Sequence, residues 1–599
     1  MPLRTLVLLK QVPDVEQQSF GADGRLRREG SGAQINPCCR RALATAIALA
    51  QREGGRCEAL SLGPPAARGS LLEALACGAD GATLISDPEL AGSDTLATAR
   101  ALAEGVRRLG GFDLILTGRS STDADTAHVP PQLAELLGLP FLASVRSLEL
   151  SGKRLTATCE DDDGHTWAEV ALPAVISCAE RLCAPARAPA GAVLADPASV
   201  LVCSAADLGR GPWGAGASPT RVEEIRPASS RRSSVVLGGP LVEQVREAVQ
   251  MISCLGPFDA PGFVPALGTS VAESSRDSSA RMVAVVVERG RAELAAELLG
   301  AAARLASRSK AEVVALFVGV VGDAQALGSL GADEVVCVEG SASPEDVARV
   351  LAAWCSERDP WALLAPSTTW GREVAARLAA RLGAGLVGDV EDVELDPLGE
   401  RLVGLKPVLG GGATAVVTVP AGLQVLTARP GALRRPLPRM GATIPIGSIR
   451  VAPAGRVRYL RSERDDAVER LGAARVVVGV GVGVAVEDMH LLDPLLGMLG
   501  AELAATRKVT DGGTLPRSRQ VGITGRSISP ALYIAVGLSG RANHMAGLRA
   551  AGTVLALNSD PGAPVFAAAD LGIVADWRSV VPLLCEELAV AGLGSSTAG

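Results

Sequence analysis

The chain has 599 residues, too long for one hydrophobic core and equivalent to about four domains of ordinary size. It is 48% hydrophobic but only 3% aromatic, with 68 Gly and 37 Pro, a composition suited to buried parallel strands and helix–sheet packing that excludes disorder, collagen and coiled coil. The net charge of -7, with acids and bases interleaved, leaves no basic footprint for nucleic acid and no polybasic patch for a membrane.

The opening Met1-Pro2-Leu3-Arg4 runs straight into Leu6-Val7-Leu8-Leu9, too short an apolar run for a signal segment, so no leader is expected. Leu6 to Lys10 reads as a buried strand, followed by a helix over 38–52, a strand over 57–62 and a short strand ending at Ile85. A further strand over 112–118 leads through an acidic loop and a helix to a polar β segment over 144–150. Residues 184–240, rich in Pro, Gly, Ser and Arg, read as a connecting arm. An amphipathic helix follows, with Leu241, Val245 and Val249 at fourfold spacing, and 255–280 reads as a linker.

The same order of signals then returns. A strand over 283–288, a helix over 292–307, strands over 313–318 and ending at Val338, and a strand over 360–366 lead to a polar β segment over 388–395. Strands alternating with helices imply right-handed crossovers and a parallel sheet covered on both faces, here built twice. After a Pro-rich stretch a third unit begins at Arg475-Val476-Val477-Val478-Gly479, with strands over 533–536, 553–557 and 571–574 and a helix over 577–588. The expected fold is α/β: two similar parallel-sheet, nucleotide-binding-like domains and a doubly wound, Rossmann-like third domain. The boundaries are 1–254, a linker 255–280, 281–430, a hinge 431–473, and 474–592.

The longest apolar run, 476–486, is Gly-interrupted and about 11 residues long, below the ~20 needed to span a bilayer. The 12 Cys are scattered apart from Cys38 and Cys39, form no C-x-x-C, and lie near none of the four His, which points to reduced thiols in a cytoplasm and to no metal site.

The densest motif is in the third unit, from Gln520 to Gly547. Its glycines and small residues after a strand leave backbone N–H groups open to phosphates, and Thr524, Ser539 and His544 add donors. This stretch, with Leu557-Asn558-Ser559-Asp560-Pro561 and Ala569 to Asp576, resembles the FAD-binding segment of the electron transfer flavoprotein α subunit. The resemblance implies that Thr524 bonds the flavin near N5 and that His544 contacts its N1/O2 edge. Gly525, Arg526, Ser539 and Gly540 line the pyrophosphate and ribityl path, and Asn558 and Asp576 hold the adenosine end; Gly522, Thr506 and Arg507 belong to the same pocket. Two positions depart from the family: Val482 stands where its Gly-Gly-Arg-Gly has Arg, and Ile523 where it has Gln. Loss of a cation beside a flavin disfavours anionic flavin and lowers its potential, by about 1.4 kcal/mol per tenfold change.

The first copy is similar to the family's β subunit through Leu9-Lys10-Gln11-Val12-Pro13-Asp14, Ile35-Asn36-Pro37, Leu62-Gly63-Pro64 and Ser218-Pro219-Thr220-Arg221. Its loop Asp123-Ala124-Asp125-Thr126-Ala127-His128-Val129 corresponds to one that binds AMP or, in electron-bifurcating members, a second FAD, and Asn36 goes with it. Ala124 replaces a Gly, His128 a Gln, and Pro130 removes an N–H; the plainer alternative is that Asp123 or Asp125 caps the next helix. Ala190 stands where the family inserts a Leu into client dehydrogenases, too small for a hot-spot anchor and unfavourable to a fatty-acid-oxidation partner. The second copy resembles the α subunit's N-terminal domain through Gly371-Arg372-Glu373 and Arg381 to Asp389.

The resemblance therefore implies β and α subunits fused in that order, as a pseudo-heterodimer that is monomeric or a homodimer. It carries electrons through FAD from a dehydrogenase to a quinone oxidoreductase or another redox partner, with no catalytic residue of its own. The alternative is an NADH-dependent bifurcating flavoprotein with a second FAD.

Overall fold

The computed structural model describes residues 2–593 except 14–18, 21–25, 28–31, 193–194, 228–231, 255–280, 409–412, 435, 437, 440–443, 523–524 and 549–550. The expected linker thus lies outside the described residues. Met282–Val287 is six apolar residues, all buried, as a central strand covered on both faces requires. It pairs in parallel with Glu312–Val318 and Ala362–Pro366.

Within this copy the parallel order is Glu334–Gly340, Glu312–Val318, Met282–Val287, Ala362–Pro366, Gln424–Ala428, Gly385–Val390. In the first copy the order is Gly81–Ile85, Arg56–Leu62, Arg4–Leu9, Leu114–Gly118, Ala174–Cys178, Phe141–Ser151. Position by position the two sheets are the same, so the repeat read from the sequence is a repeat of topology. Helices cover both faces, and their ends follow local chemistry. Asp94 caps Thr95–Leu109 by accepting from Leu96 N at 3.0 Å and Ala97 N at 2.9 Å. Thr368 caps Thr369–Leu382, which ends at Gly383 in the left-handed region.

The two copies meet through helices Val129–Leu137 and Thr369–Leu382, with Arg377, fully buried, bonded to Glu373 at 2.9 Å and across the seam to Glu135 at 3.0 Å. Beyond its parallel strands each copy extends into an antiparallel meander, and here the copies exchange strands. Arg221–Pro227, from the arm of the first copy, closes the meander of the second against Ala413–Thr418. Val457–Arg464, from beyond the second copy, closes the meander of the first against Gly164–Ala171.

The arm of 184–240 does more than connect. It supplies one strand to each unit: Val200–Cys203 to the first sheet, Arg221–Pro227 to the second copy, and Val235–Val236 to the third unit. Within 431–473, Ile446–Val451 extends the second copy's sheet and Val457–Arg464 the first copy's, so both strands belong to the body that the two copies form, the platform on which the third unit sits.

In the third unit the sheet runs Glu502–Ala505, Val476–Val480, Leu532–Val536, Thr553–Asn558, Leu571–Val574, with Val235–Val236 at its edge. This is the doubly wound order 2-1-3-4-5, all parallel. Helix Leu241–Cys254 packs Val245, Val249 and Ile252 into this unit's core beside Leu584 and Leu588, and Arg246 reaches Glu587 at 3.0 Å. Among the described residues no helix is long and apolar enough to cross a membrane.

Candidate functional site

In an open parallel sheet the ligand crevice lies outside the carboxyl ends of the strands, where the winding reverses. In the third unit that point falls between Val476–Val480 and Leu532–Val536. Two glycine loops cross there: Gly481 N donates to Val536 O and Gly483 N to Gly537 O, each at 3.0 Å. The approach is too close for side chains, since a Cβ on Gly481 would stand 2.3 Å from the Gly537 carbonyl oxygen and one on Gly540 2.2 Å from Val565 Cα. Val482, between the glycines, is 68% exposed.

A cavity of about 760 Å³ opens where all three units meet. Gly522, Gly525 and Arg526 of the third unit line it, and so do Asp125 and Ala127 of the first copy. The cavity therefore brings together parts of both nucleotide motifs. A Cβ on Gly525 would lie 2.4 Å from Gln520 O, so this turn too is pared to backbone. Thr524 and Ile523 lie outside the described residues.

The remaining candidates are placed otherwise. His544 is buried below the loop, not in the cavity wall: its Nδ1–H donates to Val521 O at 3.0 Å, which leaves Nε2 to accept the Tyr533 hydroxyl at 2.8 Å. Burial holds its pKa down, to about 4, so it is neutral. Asn558 ties the loops together, its Nδ2 donating to Leu538 O at 2.9 Å and its Oδ1 accepting from Asp560 N at 2.9 Å. Asp576 caps helix Trp577–Val590 through Arg578 N at 2.9 Å. The exposed Ser539 accepts from Val565 N through its carbonyl at 3.1 Å.

Thr506 precedes the short helix Arg507–Asp511. Arg507 lines a second cavity, of about 430 Å³, with Arg41, Arg181 and Arg517. There it pairs with Glu180 at 3.2 Å and Asp511 at 3.1 Å, and Arg181 pairs with Asp511 at 3.6 Å.

In the first copy Asn36 bonds the loop at both ends of its amide, donating to Ser120 O at 2.8 Å and accepting from Thr122 N at 3.2 Å. Lys10 Nζ lies 2.8 Å from both oxygens of Asp123 and holds that carboxyl below the usual range against the opposing effect of burial. Neither Asp123 nor Asp125 caps helix Val129–Leu137, whose N-cap is His128 with no side-chain bond. Pro130 and Pro131 open that helix, where a missing N–H costs nothing. Positive φ falls at Asp125 (43°) and Ala127 (56°) and not at Ala124, so replacing Gly by Ala at 124 creates no backbone conflict. Two non-glycine residues one position apart held in this region are strain of the kind that accumulates at ligand sites. Thr126, between them, is half-buried.

The sequence reading missed the acidic turn Glu160-Asp161-Asp162-Asp163, which lines the cavity opposite the third unit. Arg517 pairs with Glu160 at 3.0 Å, Arg526 donates to the Asp162 carbonyl at 2.9 Å, and Arg291 of the second copy reaches Asp163 at 3.0 Å. Its signal was four consecutive acids in a hairpin, legible as a charge run.

A family model described as "Electron transfer flavoprotein domain" matches residues 23–205 and again 283–454, and one described as "Electron transfer flavoprotein FAD-binding domain" matches 470–549. The chain is 33% identical over 307 residues to the electron transfer flavoprotein subunit alpha of Thermoanaerobacterium thermosaccharolyticum, covering 49% of this chain and 93% of that protein. It is also 33% identical over 257 residues to the same organism's subunit beta, covering 42% of this chain and 98% of that one. Protein FixB of Clostridium saccharobutylicum is similar at 30% identity over 301 residues, 48% of this chain and 89% of its own.

Proposed function

Since the chain belongs to the electron transfer flavoprotein family, as a β-like and an α-like part fused in one polypeptide, we propose that it relays electrons between a dehydrogenase and a quinone oxidoreductase or another redox protein. The observation that carries this reading is the FAD-binding match at 470–549, on a doubly wound unit whose Gly522 and Gly525 line a cavity shared with the two copies. The residues fit such a group: crossing loops stripped to backbone, a three-sided cavity within the usual size of ligand pockets, and guanidiniums at its rim. FAD, when bound, supplies one- and two-electron redox chemistry.

The chain's own groups hold, orient and enclose it. Backbone N–H groups of Val482, Leu538, Ser539 and Gly540, which carry none of the loop-crossing bonds, would take the phosphates, with Thr506, Ser539 and Thr524 as further donors. Arg526 and Arg517, bound to the acidic turn, close the flavin side of the cavity and exclude water. His544 acts from behind, fixing the Val521 carbonyl and with it the loop through Gly522. Val482 leaves uncharged the site where the family carries Arg, which lowers the potential.

The third unit is joined to the two copies at three places in the chain: between Arg221–Pro227 and Val235–Val236, between Leu241–Cys254 and Met282–Val287, and after Arg464. Because Val457–Arg464 is bound into the platform sheet, swivelling of the third unit is absorbed near residue 465.

The strained Asp125 and Ala127 on the cavity wall favour a second reading, in which the loop at 123–129 holds AMP or a second FAD and NADH is the donor. Flavin released per chain, with a stopped-flow test of NADH reduction, separates the two. One FAD and no reduction by NADH are expected of the relay; two FADs with rapid reduction establish the bifurcating reading.

A further inference from the structure

At the seam between the two copies lies a set of polar side chains that nothing in the described protein satisfies. His128 is fully buried with neither ring nitrogen hydrogen-bonded. Gln132, one helical turn on and on the same face, is also fully buried with both amide atoms unpartnered. Lys406, from the second copy, is 5% exposed, and its Nζ has no hydrogen-bond partner.

The carboxylate that could serve this lysine is already committed. Asp389, fully buried, takes Arg372 on one oxygen at 2.7 Å and Arg429 on the other. Even so, Arg372 Nε and Arg429 Nη1 have no hydrogen bond, although Glu391 stands 3.7 Å from the latter. Asp389 and, less strongly, Asp125 act on Lys406 electrostatically, without forming an ion pair.

Unsatisfied buried polar atoms destabilise a fold, and a buried ammonium without a hydrogen-bond partner does so more. So many at one place need a ligand of matching chemistry. The cavity runs alongside: Arg372, Arg429, Asp125, Ala127 and Pro131 line it, and His128 and Gln132 are the next residues in sequence after Ala127 and Pro131. Gly388 of the second copy leaves room for the imidazole, since a Cβ there would fall 2.1 Å from His128 Cε1.

We propose that this seam is an anion site that takes a phosphate group, with the Lys406 ammonium, Arg372 Nε and Arg429 Nη1 as donors and His128 and Gln132 completing the shell. A phosphate has the oxygens to accept from all of them, and guanidinium edges match it geometrically. The site draws on both copies, so its ligand ties the β-like part to the α-like part. This deepens the nucleotide reading of the 123–129 loop by naming where the phosphate lies, and it rests on that reading only for the choice between a nucleotide and free phosphate.

The test uses the full-length, flavin-loaded protein, with calorimetry and thermal melting against inorganic phosphate, AMP and adenosine. Phosphate and AMP are expected to bind and raise the melting temperature, and adenosine is not. Lys406→Met should weaken phosphate binding at least tenfold, while Lys406→Arg, which keeps the charge, retains it. Gln132→Leu is the second variant, expected to weaken binding severalfold if Lys406→Met fails to fold. Phosphate binding without AMP binding keeps the seam site and refutes the nucleotide reading. AMP binding that is undiminished in Lys406→Met keeps the nucleotide reading and refutes the seam site, as does a wild-type protein indifferent to phosphate at 10 mM, roughly tenfold above the weakest millimolar affinity of interest.

Discussion

Gly479 sits in a strand that is otherwise valine, Val476–Val480, where glycine is a poor strand former. Its reason is Tyr533 on the neighbouring strand, whose hydroxyl would stand 1.6 Å from a Cβ at 479. That hydroxyl supplies the proton His544 Nε2 accepts, and His544 in turn holds the Val521 carbonyl. One missing methyl thus supports the loop that enters the cavity. Gly479→Ala is expected to displace the hydroxyl, leave a buried imidazole nitrogen unpaired and destabilise the protein by about 1–3 kcal/mol, read from urea denaturation followed by flavin fluorescence. The sequence made His544 legible as part of a motif but not as a buried group. Its hydroxyl partner lies eleven positions earlier on a strand, and only the return of the chain from that strand into helix Ala542–Met545 brings the two together.

The parallel strands were readable because each carries its burial in its own residues: Met282–Val287 could face nothing but core on either side. The exchanged strands were not. Val457–Arg464 is Val-Arg-Tyr-Leu-Arg-Ser-Glu-Arg, charged and mostly exposed, a blunted edge whose pairing partner is nearly 300 residues away. The same holds for the join between strand Met282–Val287 and helix Thr369–Leu382, where Glu288 accepts from the Thr368 hydroxyl at 2.6 Å. Burial pushes the Glu288 carboxyl up from 4.5 to about 7, with Arg291 opposing. A raised carboxyl pKa stabilises the fold below the unfolded value and loses that contribution as pH rises through the folded one. Glu288→Gln should therefore gain on the wild type between about pH 4.5 and pH 7, by roughly 1–3 kcal/mol at pH 8, measured as melting temperature across pH. A flat difference would place the buried charge elsewhere.

Taken whole, the protein behaves as two interlocked subunits that share a chain. Each copy's meander is closed by a strand from the other half, and the first half also contributes Val235–Val236 and helix Leu241–Cys254 to the third unit. A protease site placed within 255–280 and cut after folding should leave 1–254 and 281–599 co-eluting as one species on size exclusion; separate elution would show that the exchange contributes little. The interlock also sets a schedule for synthesis. Gly164–Ala171 leaves the ribosome with its edge open and waits about 290 residues for Val457–Arg464 to be made. At the usual 5–20 residues per second that is roughly 15 to 60 seconds of exposed strand edge. In a two-chain arrangement the same edge would wait for a diffusive encounter, so carrying both halves on one message turns a search into a delay of fixed length.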